Sequence, residues 1–144
     1  MKRILIVIVL LTVILLLSLS GFAVAAFKGE RDSTREELRT IIALILMPEV
    51  QKAVDAFYAP YLSVLPEADA TFARVENIVT GPYNTRYTVV IETEPYVGPH
   101  VSVGRDRVTL KISASGAIAV IRFEHLNSYP LPPHLMPLIK NPLP

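Results

Sequence analysis

Apolar positions pass through distinct regimes along the chain. Ile4 to Leu17 is a run without a charge, interrupted only by Thr12; Ser18, Ser20 and Gly21 loosen it and Phe22-Ala23-Val24-Ala25-Ala26 closes it. After a polar spacer, Phe27 to Asp32, the period becomes helical: Leu38, Ile41, Ile42 and Ile45 recur at that spacing. Ser33 and Thr34 stand ahead of Glu36 and Glu37 at capping-box spacing, which predicts a helix start there. Ala43, Leu44, Leu46 and Met47 fill the remaining faces. A helix apolar all round is buried in a core or covered by a partner, here as core, as a homodimer seam or near a membrane. Pro48 breaks or kinks the helix, or opens a second one. Val50, Ala53, Val54 and Phe57, with Gln51, Lys52 and Asp55 between them, continue as an amphipathic helix ending near Ala59-Pro60.

Beyond a loop around Pro66 the period becomes two, the signature of strands with one buried face. Ala73 and Val75 start a strand running to about Val79, and Gly81-Pro82 turns the chain. Tyr87, Val89, Ile91 and Thr93 alternate with Arg86, Thr88, Val90 and Glu92 in a long strand that Pro95 and Gly98-Pro99 end. Val108, Leu110 and Ile112 alternate with Arg107, Thr109 and Lys111, and Ser113-Ala114-Ser115-Gly116 turns into a fourth strand, Ala117 to His125. Pairing Ser113 with Gly116 sets Arg105 opposite Glu124 but Arg107 opposite Arg122, a clash that a longer turn or a bulge would relieve. After Asn127, prolines 130, 132, 133, 137, 142 and 144 forbid any long regular element and predict an extended or disordered arm.

The first apolar run changes the picture most. Met1-Lys2-Arg3 ahead of it, and the small residues of Ala23-Val24-Ala25 and Val24-Ala25-Ala26 behind it, make a secretory leader. At about 1.5 Å per residue the stretch from Ile4 to Ala26 is also long enough to cross a hydrocarbon core of about 30 Å. The leader is therefore either cleaved or an anchor, with Lys2 and Arg3 held inside. Residues 1–26 are assigned to this signal peptide or anchor, 27–126 to a folded domain and 127–144 to the Pro-rich arm. The expected location is outside the cell or on the outer face of the cytoplasmic membrane.

Composition narrows the rest. Of 144 residues, about 118 remain beyond the leader, enough for one domain. They carry 12 basic and 13 acidic residues, a balance that gives no electrostatic case for nucleic acid. The absence of cysteine removes disulfides, thiolate zinc ligands and a lipid-bearing thiol.

A family resemblance rests on Leu46-Met47-Pro48 to Phe57-Tyr58, the strand Tyr87 to Glu94, Gly98-Pro99-His100 and Val120-Ile121-Arg122-Phe123-Glu124-His125, in that order. From about Leu38 to His125 the chain resembles the domain of unknown function 3888 family, small exported proteins of Gram-positive spore-forming bacteria. It departs after His100, where Val101-Ser102-Val103 stands in place of the family's Asn-Pro-Pro, and in the arm after His125. The resemblance implies export and the order of the elements, and implies no activity.

Candidate chemistry is sparse. His100 follows Gly98-Pro99 in a loop, where its ring can serve as base, ligand or pH sensor, or can simply hydrogen-bond the turn. Glu92 and Glu94 share one side of a strand about 7 Å apart, a spacing open to acid/base work on sugars but also common on a solvated strand face. With His100 they can also be read as a weak cation site. His125 shares parity with Phe123 and Ile121 and reads as a satisfied histidine at the core edge; His134 lies in the arm. No nucleophile elbow, zinc-protease motif or phosphate-binding glycine loop occurs, so no catalytic residue, metal or cofactor is assigned.

The pattern predicts an α+β domain, a kinked helix or two short helices on a four-stranded antiparallel sheet, reminiscent of cystatin-like or NTF2-like shapes by analogy. The expected function is a non-catalytic exported module that binds an envelope protein or a ligand, through His100, Glu92 and Glu94, with membrane contact through residues 4–26 if the leader is kept. The alternative is a small hydrolase or metal-assisted enzyme using the same three residues, which requires them to converge in a concave pocket.

Overall fold

Residues 32–58 are helical (α1) in the computed structural model, which describes residues 32–144. The expected leader and nearly all of the spacer lie outside the described residues. Ser33 and Thr34 fall inside helical residues at the beginning of the described part of α1. The helix also runs through Pro48, so one helix replaces the two-helix alternative. Pro48 removes the hydrogen bond to the carbonyl of Leu44, and both residues lie on the exposed side, where water can take that bond instead. Ala43, Leu46, Val50, Val54 and Tyr58, spaced three or four apart, form the fully buried stripe. Ile41, Leu44 and Ile45, expected as core, stay on the exposed side. Apolar density in the run exceeds what one helix face can bury.

The rest of the compact unit Arg39–Pro144 is built on a sheet. Strands β1 (Ala73–Thr80), β2 (Arg86–Thr93), β5 (Gly104–Ser113) and β6 (Ile118–Ser128) form it in the antiparallel order β1-β2-β5-β6. α1 packs on one face. There the inward residues of the strands, Val75, Val89, Ile91, Val108 and Leu110, meet the buried stripe of the helix in a single cluster. The expected α+β architecture, helix on a four-stranded antiparallel sheet, is what the chain adopts; the cystatin-like shape is an analogy only.

A second hairpin, β3 (Tyr96–Val97) with β4 (Val101–Ser102), lies between β2 and β5. Gly98-Pro99-His100 forms its tip, where Gly98 (φ 54°) and His100 (φ 59°) both take the left-handed conformation.

The predicted clash between Arg107 and Arg122 does not occur. Ile112 pairs with Ile118, so the turn spans Ala114, Ser115 and Gly116, with Gly116 at φ 82°. Ile121 is then the extra residue of a β-bulge between the pairs Leu110–Val120 and Thr109–Arg122. Arg107 thereby faces Glu124. Register lines up Arg74, Glu92, Arg107 and Glu124 across the four strands on the outer face. Arg107 also bonds Glu76 at 2.9 Å and Glu92 at 3.2 Å. Such exposed pairs fix register more than they add stability.

The Pro-rich segment is docked. A short 3-10 helix, Pro133–Leu138, packs Leu135 and Leu138 against the core, Leu131 is buried, and Leu62 bridges Ile139. Asn141 Nδ2 donates to the Pro60 carbonyl at 2.6 Å. Apolar residues placed between the prolines supply this anchoring, which the proline count alone does not reveal. On unfolding in urea, Leu46→Ala is expected to lose about 2–5 kcal/mol, whereas Ile45→Ala stays within about 0.5 kcal/mol. Equal losses would mean that the helix presents a different face to the sheet.

Candidate functional site

The inner face of the sheet carries a polar row at the end nearest Tyr58. Register places Ala73, Thr93, Asp106 and His125 side by side across β1, β2, β5 and β6. Thr93 and Asp106 are the buried polar residues of the core, Asp106 with 0% exposure. Tyr58 Oη, from α1, donates to Asp106 Oδ2 at 3.0 Å, and His125 Nδ1 lies 2.7 Å from Asp106 Oδ1. His125 Nε2 is 2.8 Å from Ser128 Oγ, and Ser128 donates to the Pro144 carbonyl oxygen at 2.8 Å. The His125 ring stacks on Phe57 with centroids 4.8 Å apart.

Backbone geometry makes room for this chain of bonds. A second bulge, with Leu126 as the extra residue between the pairs Asp106–His125 and Arg105–Asn127, brings Ser128 back to the inner side opposite Gly104. A Cβ on Gly104 would lie 2.6 Å from Tyr58 Oη and from the Asn127 carbonyl oxygen, and 2.9 Å from His125 Cε1. Burial drives the carboxyl of Asp106 above its ordinary pKa, opposed by the hydrogen bonds from His125 and Tyr58. Burial, reinforced by the charge of Asp106, also raises the phenol of Tyr58.

At the β1 end of the row lies a cavity of ≈ 280 Å³ lined by Thr71, Phe72, Ala73, Arg74 and residues 92–94. Asp69 accepts from the backbone N–H of Thr71 at 2.6 Å, which holds its carboxyl below the usual range and caps the short 3-10 helix Ala70–Phe72. That turn sets Thr71 and Phe72 in the cavity wall. The Thr93 hydroxyl is buried without a hydrogen-bond partner.

Two of the residues singled out from sequence, Glu92 and Glu94, line this cavity. Glu92 is engaged by Arg107 at 3.2 Å and Arg105 at 3.6 Å. Glu94, one residue past β2, accepts from Tyr129 Oη at 3.2 Å, and its N–H donates to the Phe72 carbonyl. His100 is not in the lining; its ring lies 5.5 Å from that of Phe72 and 4.6 Å from that of Tyr96. The three residues therefore share a region without converging on one point. His125 is satisfied at both ring nitrogens, as its parity suggests. Among the described residues no cluster of acidic and histidine side chains is arranged to hold a metal ion.

Sequence reasoning overlooked Tyr58, Asp106 and Ser128. One signal was available for Asp106: it shares the inward parity of Val108, Leu110 and Ile112, so the strand pattern places a carboxylate on the apolar face. Ser128 was hidden by the Leu126 bulge, which no residue pattern announces.

Because the folded state binds the proton of Asp106 more tightly than the unfolded state, this group's stabilising contribution is fully present at acid pH. It is lost as pH climbs from the ordinary value of 3.8 through the raised one. Urea unfolding across that range is expected to show this slope in the native chain and a flatter one in Asp106→Asn. An unchanged slope would mean that another group carries it.

No curated protein and no solved structure matches the chain. A family model described as protein of unknown function, DUF3888, matches residues 38–127, from the buried stripe of α1 through the strands to His125. The chain belongs to the DUF3888 family.

Proposed function

We propose that this protein is an exported, non-catalytic module that binds a small ligand at the cell envelope, outside the cytoplasmic membrane. The observation that carries the reading is the cavity at the β1 end of the polar row. Its walls combine an aromatic ring, Phe72, with groups of both charges, Arg74, Glu92 and Glu94. That mixture suits a polar ligand with an apolar part. Arg74 has no ion-pair partner among the described residues, and the unpartnered Thr93 hydroxyl costs about 1–3 kcal/mol while it stays so. A ligand that engages either group adds a bond that the described residues do not supply. Glu92 is held by two guanidinium groups and Glu94 by a phenol. Both are thereby built as fixed acceptors, and the His100 ring lies against that of Phe72, 5.5 Å between centroids.

Export rests on the leader: a short cationic start, an apolar run and small residues at the cleavage spacing. If the leader is removed, the module is released. If it is kept, residues 4–26 hold it at the membrane, and a protein of the envelope can share the binding surface.

Native mass spectrometry of the protein mixed with envelope extract tests the cavity. The wild-type chain is expected to carry a low-molecular-weight adduct that Thr71→Trp, which places an indole in the cavity wall, loses while keeping its melting temperature. Equal adducts on both would remove the cavity from the account. The mature N-terminus tests the address. A start at Ala26 or Phe27 is expected for release and an intact Met1 in the membrane fraction for an anchor, whereas an intact chain in the cytosol would overturn export.

A further inference from the structure

The end of the carboxy-terminal segment closes on a hydrogen bond that fixes where protons sit. The oxygen of Pro144 can only accept, so Ser128 is the donor of that 2.8 Å bond. A hydroxyl has a single proton, so Ser128 Oγ must accept in its 2.8 Å contact with His125 Nε2, and Nε2 carries a hydrogen. The 2.7 Å contact between His125 Nδ1 and Asp106 Oδ1 also needs a proton between its atoms. Tyr58 has its own proton committed to Asp106 Oδ2. The pair therefore holds the proton count of an imidazolium with a carboxylate, or equally of a neutral imidazole with a carboxylic acid.

Removing one proton breaks this pattern at a definite place. The remaining ring proton belongs on Nδ1, because a bare Nδ1 would face the buried carboxylate of Asp106 lone pair to lone pair. Nε2 then becomes an acceptor and takes the hydroxyl proton of Ser128. Ser128 has nothing left to donate to Pro144, and two oxygens face each other without a hydrogen between them.

We propose that the His125–Asp106 pair is a proton-controlled latch on the end of the carboxy-terminal segment. Protonated, it holds Pro144 against Ser128; deprotonated, it releases the residues beyond Asn141 and turns the Ser128 hydroxyl toward His125. The closed state binds one more proton than the open state, so rising pH opens it. The groups that face His125 are Tyr58 and Phe57 from α1, Asp106 from β5, Ser128 from β6 and the Pro144 carbonyl from the carboxy-terminal segment. Asp106 is the ionic partner of His125 among the described residues. Burial, which raises both Asp106 and Tyr58, favours keeping the proton in the pair.

Release stops short of the whole segment. Upstream, Lys140 N–H donates to the Tyr61 carbonyl at 2.7 Å, Asn141 holds Pro60, and Ser63 N–H donates to the Leu138 carbonyl at 2.8 Å, none of them through the pair. Leu143 packs against the core cluster, and Pro144 has the latch as its polar tether.

Nuclear magnetic resonance of the full chain in detergent micelles, followed through a pH titration, tests this. The ring nitrogen shifts of His125 report its proton, and amide order parameters report the segment. At Leu143 the order parameter is expected to fall from about 0.85 to below about 0.6 as the His125 ring loses its proton, while Asn141 changes little. Ser128→Ala, a change at an exposed hydroxyl, should leave Leu143 mobile at every pH, and His125→Gln should abolish the step. A Leu143 amide that stays rigid while His125 deprotonates would overturn the latch, as would a step that survives in Ser128→Ala.

Discussion

A carboxyl group at 0% exposure in the middle of the core organises this protein. Asp106 cannot be left bare in such a place, because an unpaired buried charge costs far more than a domain of this size can spare. Its two oxygens are met by Tyr58 from α1 and His125 from β6. One residue of β5 therefore ties the helix to the third and fourth strands of the sheet, and through Ser128 it reaches the end of the chain. Removing Tyr58 or His125 leaves the fully buried carboxyl of Asp106 with an unmet bond, so the three groups are coupled. Gly104 belongs to the same constraint, since a side chain there would occupy the space of Tyr58 and His125.

The polar row gives the inner face two ends of different character. At the β6 end every polar atom of the row has a partner, and the connectivity Ser128–His125–Asp106 is that of a nucleophile, a base and an orienting acid. Here the serine hydroxyl donates to Pro144 and not to the imidazole. At the β1 end the bonding is incomplete: Thr93 is buried without a partner beside a cavity with mixed walls. Incomplete satisfaction at one end and full satisfaction at the other is the physical ground on which we propose ligand binding at the first and control at the second.

On the outer face the row Arg74, Glu92, Arg107 and Glu124 alternates in charge across all four strands. It lies one residue along from the inner polar row, so a register that aligns one aligns the other. The bulge at Ile121 is what allows both, because without the extra residue Arg107 would face Phe123 instead of Glu124. Glu92 serves this outer row and the cavity wall at once, which limits it to a fixed acceptor.

Local pattern was enough for much of the architecture. Period-two alternation placed β1, β2, β5 and β6, and helical spacing placed α1, because these signals arise between near neighbours in the chain. The boundaries of β6 and its two bulges were not legible, since an extra residue in a strand is defined only by what lies opposite. For the same reason Ser128 went unseen, and Asp106 was readable only as an oddity of parity. The docking of the Pro-rich segment and the exposure of half the apolar run in α1 were likewise settled by how much surface the sheet offers to cover. Sequence by itself thus determined the helix, the four long strands and their order, which depend on local chemistry. The tertiary structure alone decided which polar groups meet, because hydrogen bonds between residues 48 or 19 positions apart depend on a register that no single segment contains.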